Sequence, residues 1–547
     1  MTFLQKMTKH KQTKFLVYFI YFLYFIYRKY MKTILKSIIF ILILLMLILG
    51  VRNVLAIPTS YINEKTGIND IHKYPQSYDV CFIGRSTMVS NVSCQELYEQ
   101  YGIAGVSAGV SRQSFPMTLY TLEEVLEYQS PKVVFLDTRI FFEPIRAEIQ
   151  NYQDEAYLHF SLDDIKTYSI KKKAIDKAKL YNDEIDEWDF YSKLYYSHGN
   201  WKDISQKNFT NYDDDALDTM HGNAAYLDIA YNVNNTYAES PLNNAAIITM
   251  KTEKYISEMI DLCNENGAEL IFLTNYVQAT KSQHRAILRL ANRYDLKYID
   301  INEFLLKSGF RHDMDLYDTV HFNLSGAIKA TNFLGAFLQE NYDFSDKRKN
   351  TSYVRYEEQK ELFQSQKDFI YSKQSLLSAV TFHKYLKELK NIDYNKNVLF
   401  ITVYGDAISK LTLKEYESLK ELGLKTNLLG KNGGSYAAVI SENHIQEEFA
   451  FLNTVVFENN IDMLEYEIKS GGSKSGERSS IIINEKEYFP GGKGFNFVLY
   501  NTEFETVISS CFFDTSVSVN PVQSRYKATP ATNLQQETGP NKWETVE

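Results

Sequence analysis

Cysteine is scarce: Cys81, Cys94, Cys263 and Cys511 are the only four in 547 residues. No CxxC pair and no His/Cys cluster offers metal-ligand spacing, and no motif asks for a cofactor, so neither metal nor cofactor is expected. Cys81 and Cys511 lie in apolar runs and Cys263 in a helical pattern, the places of free, buried thiols. Positive charge is also short. The net charge is -9 and no basic stripe runs along the chain, which argues against a nucleic-acid partner. What remains, 44 % hydrophobic and 23 % charged residues, is a globular composition with length for about three domains. Tyr and Phe are frequent, and their faces can stack on sugars, although composition alone does not select that use.

Two apolar runs open the chain. The first, 15–27, is too short for a comfortable membrane span. The second runs from 37 to 51 and, past Arg52, to Ala56, which is enough to cross a bilayer. Lys29, Lys32 and Lys36 precede it, and acidic residues first appear after it, at Glu64 and Asp70. That asymmetry predicts a cytoplasmic amino terminus and an extracytoplasmic body. Met31 opens MKTILKSIIFILILLMLILG, itself a complete basic-then-apolar start. Residues 1–30 therefore read as an upstream extension, mis-assigned or membrane-contacting, and 31–56 as a transmembrane anchor. The alternative is a cleaved signal peptide ending at Val54-Leu55-Ala56, for which the apolar run is long.

The stretch 78–90, YDVCFIGRSTMVS, organises the first soluble domain. Val80, Cys81, Phe82 and Ile83 form a short apolar run of the kind buried on both faces of a parallel sheet. Gly84 breaks it and Ser86 follows, at the strand end where open α/β sheets place ligands. Read alone, Ser86 fits a helix cap better than a nucleophile. Strands are expected at 79–83, 103–108, 132–136, 269–273 and 297–301, with helices at 94–101, 117–128, 252–266, 282–294 and 325–341. This alternation predicts a three-layer α/β/α domain around a five-stranded parallel sheet. An insertion of about a hundred residues, 139–250, separates the third and fourth strands. Its helical stretch (163–180) and aromatic patch YYSHGNW (195–201) suit a lid or substrate wall over the carboxyl edge. His198 and His221 line that insertion, and Asn275, after the fourth strand, receives no role.

After the fifth strand comes DLYDTVHFNLSGAIKATNFLG, 315–335, in which Asp318 and His321 stand three apart on a loop entering a helix. GRST after the first strand, a glycine after the second (VSAGVSRQ) and this DxxHfNxxG block together resemble the SGNH, or GDSL-type, hydrolases. The nearest likeness is to membrane-anchored bacterial relatives that act on cell-envelope polymers. The resemblance covers 76–343 and implies a serine esterase or O-acyltransferase. Ser86 would be the nucleophile, His321 its base and Asp318 the group that orients the imidazole. The backbone N–H groups of Ser86 and Gly109 would hold the oxyanion, each such donor contributing about 3 kcal/mol to the transition state. Three departures from the family stand out. Arg85 and Thr87 flank the nucleophile, and the third strand ends in LDTRIFF, with Asp137 and Thr138 where the family supplies an oxyanion-binding Asn.

Residues 344–352 are polar and read as a linker, followed by helices to about 392 with an apolar stripe of Leu362, Phe369, Leu376, Leu377 and Tyr385. From 393 to 516 short alternating strands and one helix predict a β-rich α+β domain. VLFITVYGDAIS, ELGLKT, SYAAVI, SSIIINEKEY and KGFNFVLYN…FFDT resemble, across 383–516, the interleukin-like EMT inducer (ILEI, or PANDER-like) domain. That resemblance implies either a sugar-binding module, with Asn496 and Asp514 as polar contacts, or a spacer. Cys511 lacks the disulfide partner of the vertebrate members. Residues 517–547 carry no apolar period and read as a disordered tail. Two functions follow from the sequence. One is a membrane-anchored esterase or O-acetyltransferase acting on cell-surface polysaccharide. The other is a catalytically weak scaffold of the same fold that holds glycan during export or assembly.

Overall fold

The computed structural model describes residues 3–55, 67–142, 155–192, 201–202, 204, 220–230, 246–275, 280–305, 307–442, 444–461, 463–516 and 522–525. The chain divides into two units, Met1–Asn63 with Ile175–Leu217, and Glu64–Ala174 with Asp218–Glu547.

In the first unit, Phe3–Leu55 is one continuous helix, so the two apolar runs are not separate elements. Its segment Tyr30–Val51, 22 residues long, is long and apolar enough to cross a membrane. The same unit contains the short helix Glu187–Tyr191, whose Asp186 side chain caps the Trp188 N–H.

The second unit starts from a sheet of β1 (Val80–Ile83), β2 (Gly105–Ser107), β3 (Val133–Asp137), β4 (Glu269–Thr274) and β5 (Tyr298–Asp300). Every pairing is parallel and the order is β2-β1-β3-β4-β5. Side chains alternate across a strand, and here both sides are apolar. Cys81, Ile83, Val106, Val134, Leu136 and Phe272 face helices Phe115–Tyr128 and Met250–Glu265. Val80, Phe82, Val133, Phe135 and Ile271 face helices Cys94–Tyr101 and Leu324–Asn341. The result is the expected α/β arrangement with helices on both faces. In this order the strands are added to one side of β1 and then to the other, so the switch point lies between β1 and β3, the crevice where such sheets take ligands.

Part of the insertion is fixed by a buried carboxylate. Glu124 accepts from the His72 ring at 2.7 Å and from the Lys166 N–H at 2.7 Å. The predicted 163–180 helix is found as Tyr168–Lys179, and a separate helix, Glu155–Leu162, precedes it. Residues 195–200, including His198, lie outside the described residues.

The polar stretch 344–352, read as a linker, is tied down. The Lys347 N–H bonds Gly102 O at 2.8 Å and Arg348 bonds Glu99 O at 2.8 Å, meeting carbonyls left open where helix Cys94–Tyr101 ends. Helix Val354–Ser378 then packs on several sides at once. Tyr356 enters the core of the parallel sheet, and Phe363, Ile370 and Leu377 meet Met220, Ile229, Met314 and Leu324. Phe369 and Leu376 belong to the core of the second domain. The helix that carries most of the apolar stripe is therefore a strut shared by both domains.

That domain is built from β6 (Asn397–Gly405), β7 (Ser435–Ser441), β8 (His444–Ala450), β9 (Val455–Ile461), β10 (Leu464–Gly472), β11 (Ser480–Ile483), β12 (Lys486–Glu487), β13 (Gly494–Asn501), β14 (Thr506–Phe513) and β15 (Gln523–Arg525). β6 pairs antiparallel with β7 and β13 and, at Tyr404 and Gly405, parallel with β10, so the sheet curls on itself. One face of β6 and β13 packs on helices Phe382–Leu389 and Leu413–Glu421, the other on β9, β10 and β11. β15 corrects the reading of everything past 517 as disordered: Gln523–Arg525 pairs with Phe513–Cys511 and covers an otherwise open edge. Three residues are too few to show a period in sequence.

All four cysteines are free and buried, as expected.

Candidate active site

The turn that carries Ser86 is set by the closeness of β1 and β3. Gly84 has φ +150°, and a Cβ there would lie 2.4 Å from Asp137 Cβ, so only glycine fits. The chain passes through Arg85 in extended conformation and enters a five-residue helix, Ser86–Ser90. Ser86 opens that helix, so its N–H has no carbonyl one turn back to bond.

His321 arrives from the other end of the domain. Asn323 caps helix Leu324–Asn341 by accepting from the Gly326 N–H, while its amide donates to Met314 O at 2.6 Å. Asp315, fully buried, draws together the Ser325 hydroxyl at 2.8 Å and the Lys329 ammonium at 2.7 Å. Gln374, on the shared strut, donates to Met314 O at 2.9 Å. The turn held this way places His321 Nε2 2.8 Å from Ser86 Oγ, across 235 residues of chain. His321 Nδ1 is 2.7 Å from Asp318 Oδ2.

The partners fix the tautomer. Asp318 Oδ1 accepts from the backbone N–H groups of Val320 and His321, each at 2.8 Å, leaving Oδ2 for the ring. Burial by itself would raise the Asp318 carboxyl, but the bonds from His321 and the two N–H groups outweigh it and hold it below the ordinary carboxylate range. An ionised carboxylate only accepts, so Nδ1 carries the proton and Nε2 presents its lone pair to the Ser86 hydroxyl. The three residues picked out in the sequence thus form one hydrogen-bonded line.

The Gly109 N–H bonds Ser107 Oγ at 3.3 Å. A Cβ on Gly109 would meet Arg85 O and Met88 Cβ, both at 2.9 Å, so this glycine makes room for the turn that carries Ser86. Asp137 Oδ2 accepts from the Thr87 hydroxyl at 2.7 Å and Oδ1 from the Arg139 N–H at 3.0 Å. Burial raises the Asp137 carboxyl and these donors pull it back only in part. Asn275 is buried and its amide reaches Met88 Sδ at 3.7 Å.

The structure adds residues that no sequence pattern marked. Tyr226, from the insertion, stacks on Tyr317 at 4.3 Å and meets His321 edge-on at 6.1 Å. Tyr226 thus brings one aromatic ring of the insertion beside His321. Asn223 donates to Met88 O at 3.1 Å and accepts from the Cys94 N–H at 2.8 Å, holding the insertion to helix Ser86–Ser90.

His221 does not line the insertion as expected. It is buried, stacks on Tyr356 at 3.6 Å and lies 4.0 Å from Asp70. Burial, then the nearby Arg355, push its pKa well below the ordinary histidine value, so the folded protein keeps it neutral. The unfolded chain takes up a proton that the folded chain refuses, so stability is lost as pH falls below the ordinary histidine range. Between about pH 6.5 and about pH 5 the expected loss from this group is up to about 1.4 kcal/mol per pH unit. Urea titrations across that range should show a shallower slope in His221→Phe, and an unchanged slope would contradict the assignment.

In the second domain, Asn496 is not an open contact. It is fully buried and bonds Gly492 O at 2.8 Å and Gly494 O at 3.2 Å. Asp514 caps the Ser516 N–H at 3.1 Å. A search against protein-family models and one against curated proteins both find no match for this chain.

Proposed function

We propose that the protein is an SGNH-type serine esterase or O-acyltransferase, anchored by its amino-terminal helix and acting outside the cytoplasm on acylated cell-envelope polysaccharide. The observation that carries this reading is the Ser86–His321–Asp318 line, with 2.8 Å and 2.7 Å contacts at the carboxyl edge of a parallel sheet. Ser86 Oγ attacks the acyl carbonyl while its proton passes to His321 Nε2, and Asp318 stabilises the imidazolium. The Ser86 N–H faces the developing oxyanion. His321 then returns the proton to the departing sugar oxygen, leaving an acyl-serine. Water or a second sugar hydroxyl attacks that ester by the same steps in reverse, giving hydrolysis or transfer. The Tyr226–Tyr317 pair supplies an aromatic wall beside the reacting atoms. The second domain, by its resemblance to the ILEI/PANDER-like module, presents the glycan.

A second reading, a glycan-holding scaffold, draws on the oxyanion side. Asp137 offers only acceptors, and the Gly109 N–H is engaged by Ser107. The two readings part on one assay. The full chain in detergent, given a chromogenic acetyl ester, is expected to release acetate continuously. Glycan binding without any ester turnover would favour the scaffold.

A further inference from the structure

We infer that Asn91 is the positioning residue that sets the separation of Ser86 and His321, an inference that rests on the Ser–His reading above. Asn91 directly follows the nucleophile helix and is fully buried. Its Nδ2 donates to Val320 O at 3.1 Å, and its Oδ1 accepts from the Phe322 N–H at 2.9 Å and the Ser90 hydroxyl at 2.8 Å. Residues 320 and 322 flank His321, so one side chain grips the backbone on both sides of the base. The orientation of the amide follows from its partners: Val320 O can only accept and the Phe322 N–H can only donate.

The helix that carries Asn91 is a fixed body. A five-residue helix leaves its last carbonyls without partners of its own. Here Thr87 O accepts from the Asn91 N–H at 3.0 Å, and Met88 O from Ser107 Oγ at 2.7 Å. Val89 O accepts from the Ala224 N–H at 3.0 Å and from Asn223 at 3.2 Å. The nucleophile is thereby pinned to β2 and to the end of the insertion. The histidine turn is less enclosed: Thr319 is exposed and Asp318 partly so. Asn91 carries the fixed position of the helix across to that turn. The task needs one donor and one acceptor on a short side chain. Aspartate supplies only the acceptor, and an aliphatic residue supplies neither.

The test compares the full chain, Asn91→Ala, the near-isosteric Asn91→Asp, and Ser93→Ala as a control. Ser93 caps helix Cys94–Tyr101 by accepting from the Glu96 N–H, away from the reacting groups. With an acetyl ester, both Asn91 variants are expected to lose about 10²-fold in kcat with KM unchanged, the effect of a base displaced by about 1 Å. Ser93→Ala should lower Tm and leave kcat alone. A second readout does not need turnover: in protein labelled with 15N-histidine, the His321 Nε2 resonance should move in the Asn91 variants toward its position in Ser86→Ala. Folded Asn91 variants with wild-type kcat and an unmoved Nε2 resonance would overturn the inference. If Asn91→Ala fails to fold, Asn91→Asp decides. If the wild-type chain turns over no ester, the esterase reading fails by itself and the resonance alone decides the role of Asn91.

Discussion

Ser86→Ala is expected to lower kcat for an acetyl ester by about 10⁴-fold or more, and His321→Ala by a similar factor. The two groups share one proton across 2.8 Å, so each is useless without the other. The double variant should therefore be no slower than either single one, the signature of residues that act as a unit. Asp318→Asn should cost up to about 10⁴-fold, because an amide facing Nδ1 can donate and so favour the wrong tautomer. None of these changes removes an apolar core contact, so thermal melts should stay close to wild type. Initial rates across the four proteins check the set. Independent, multiplying losses in the double variant would contradict a shared proton.

Gly222→Ala is expected to have the largest effect on stability, about 3–5 kcal/mol. Two causes act together. Gly222 has φ +82°, which a side chain strains, and a Cβ there would lie 1.9 Å from Ser107 O and 2.7 Å from Gly67 Cα. Neither neighbour is a flexible side-chain tip; both are backbone. The displaced segment also carries Asn223 and Tyr226, so ester turnover should fall with stability. Gly267→Ala provides the comparison: φ is +70°, but nothing lies within 4 Å of the added carbon. It should cost only about 1 kcal/mol, the backbone strain alone. Chemical denaturation of both variants separates the terms, and equal losses would contradict the steric account.

Much of this was legible in the chain because it depends on local pattern. Val80 to Ile83 had to be a doubly buried strand, and Gly84 had to end it. The spacing of Asp318 and His321 put both on one turn, where they are found hydrogen-bonded. What stayed hidden depends on residues far apart in sequence. Asn91 meets Phe322 across 231 positions, and nothing around a lone asparagine announces that. Tyr226 reads as one more aromatic in a long insertion until Tyr317 is beside it. Helix Val354–Ser378 shows an intermittent stripe because it packs on several surfaces, which blurs any single period. Gly109 reads in sequence as an oxyanion donor, and nothing there shows that its N–H bonds Ser107 Oγ or that Arg85 O and Met88 fill the space beside it.

In the proposed reaction the imidazole of His321 activates the hydroxyl of Ser86. The most direct measurement is intact-protein and peptide mass spectrometry after exposure of the full chain to a serine-directed fluorophosphonate. A single adduct on the Ser86 peptide is expected, forming quickly in the wild type and nearly absent in His321→Ala. An adduct that forms equally fast without His321, or no adduct on Ser86 at all, would contradict it.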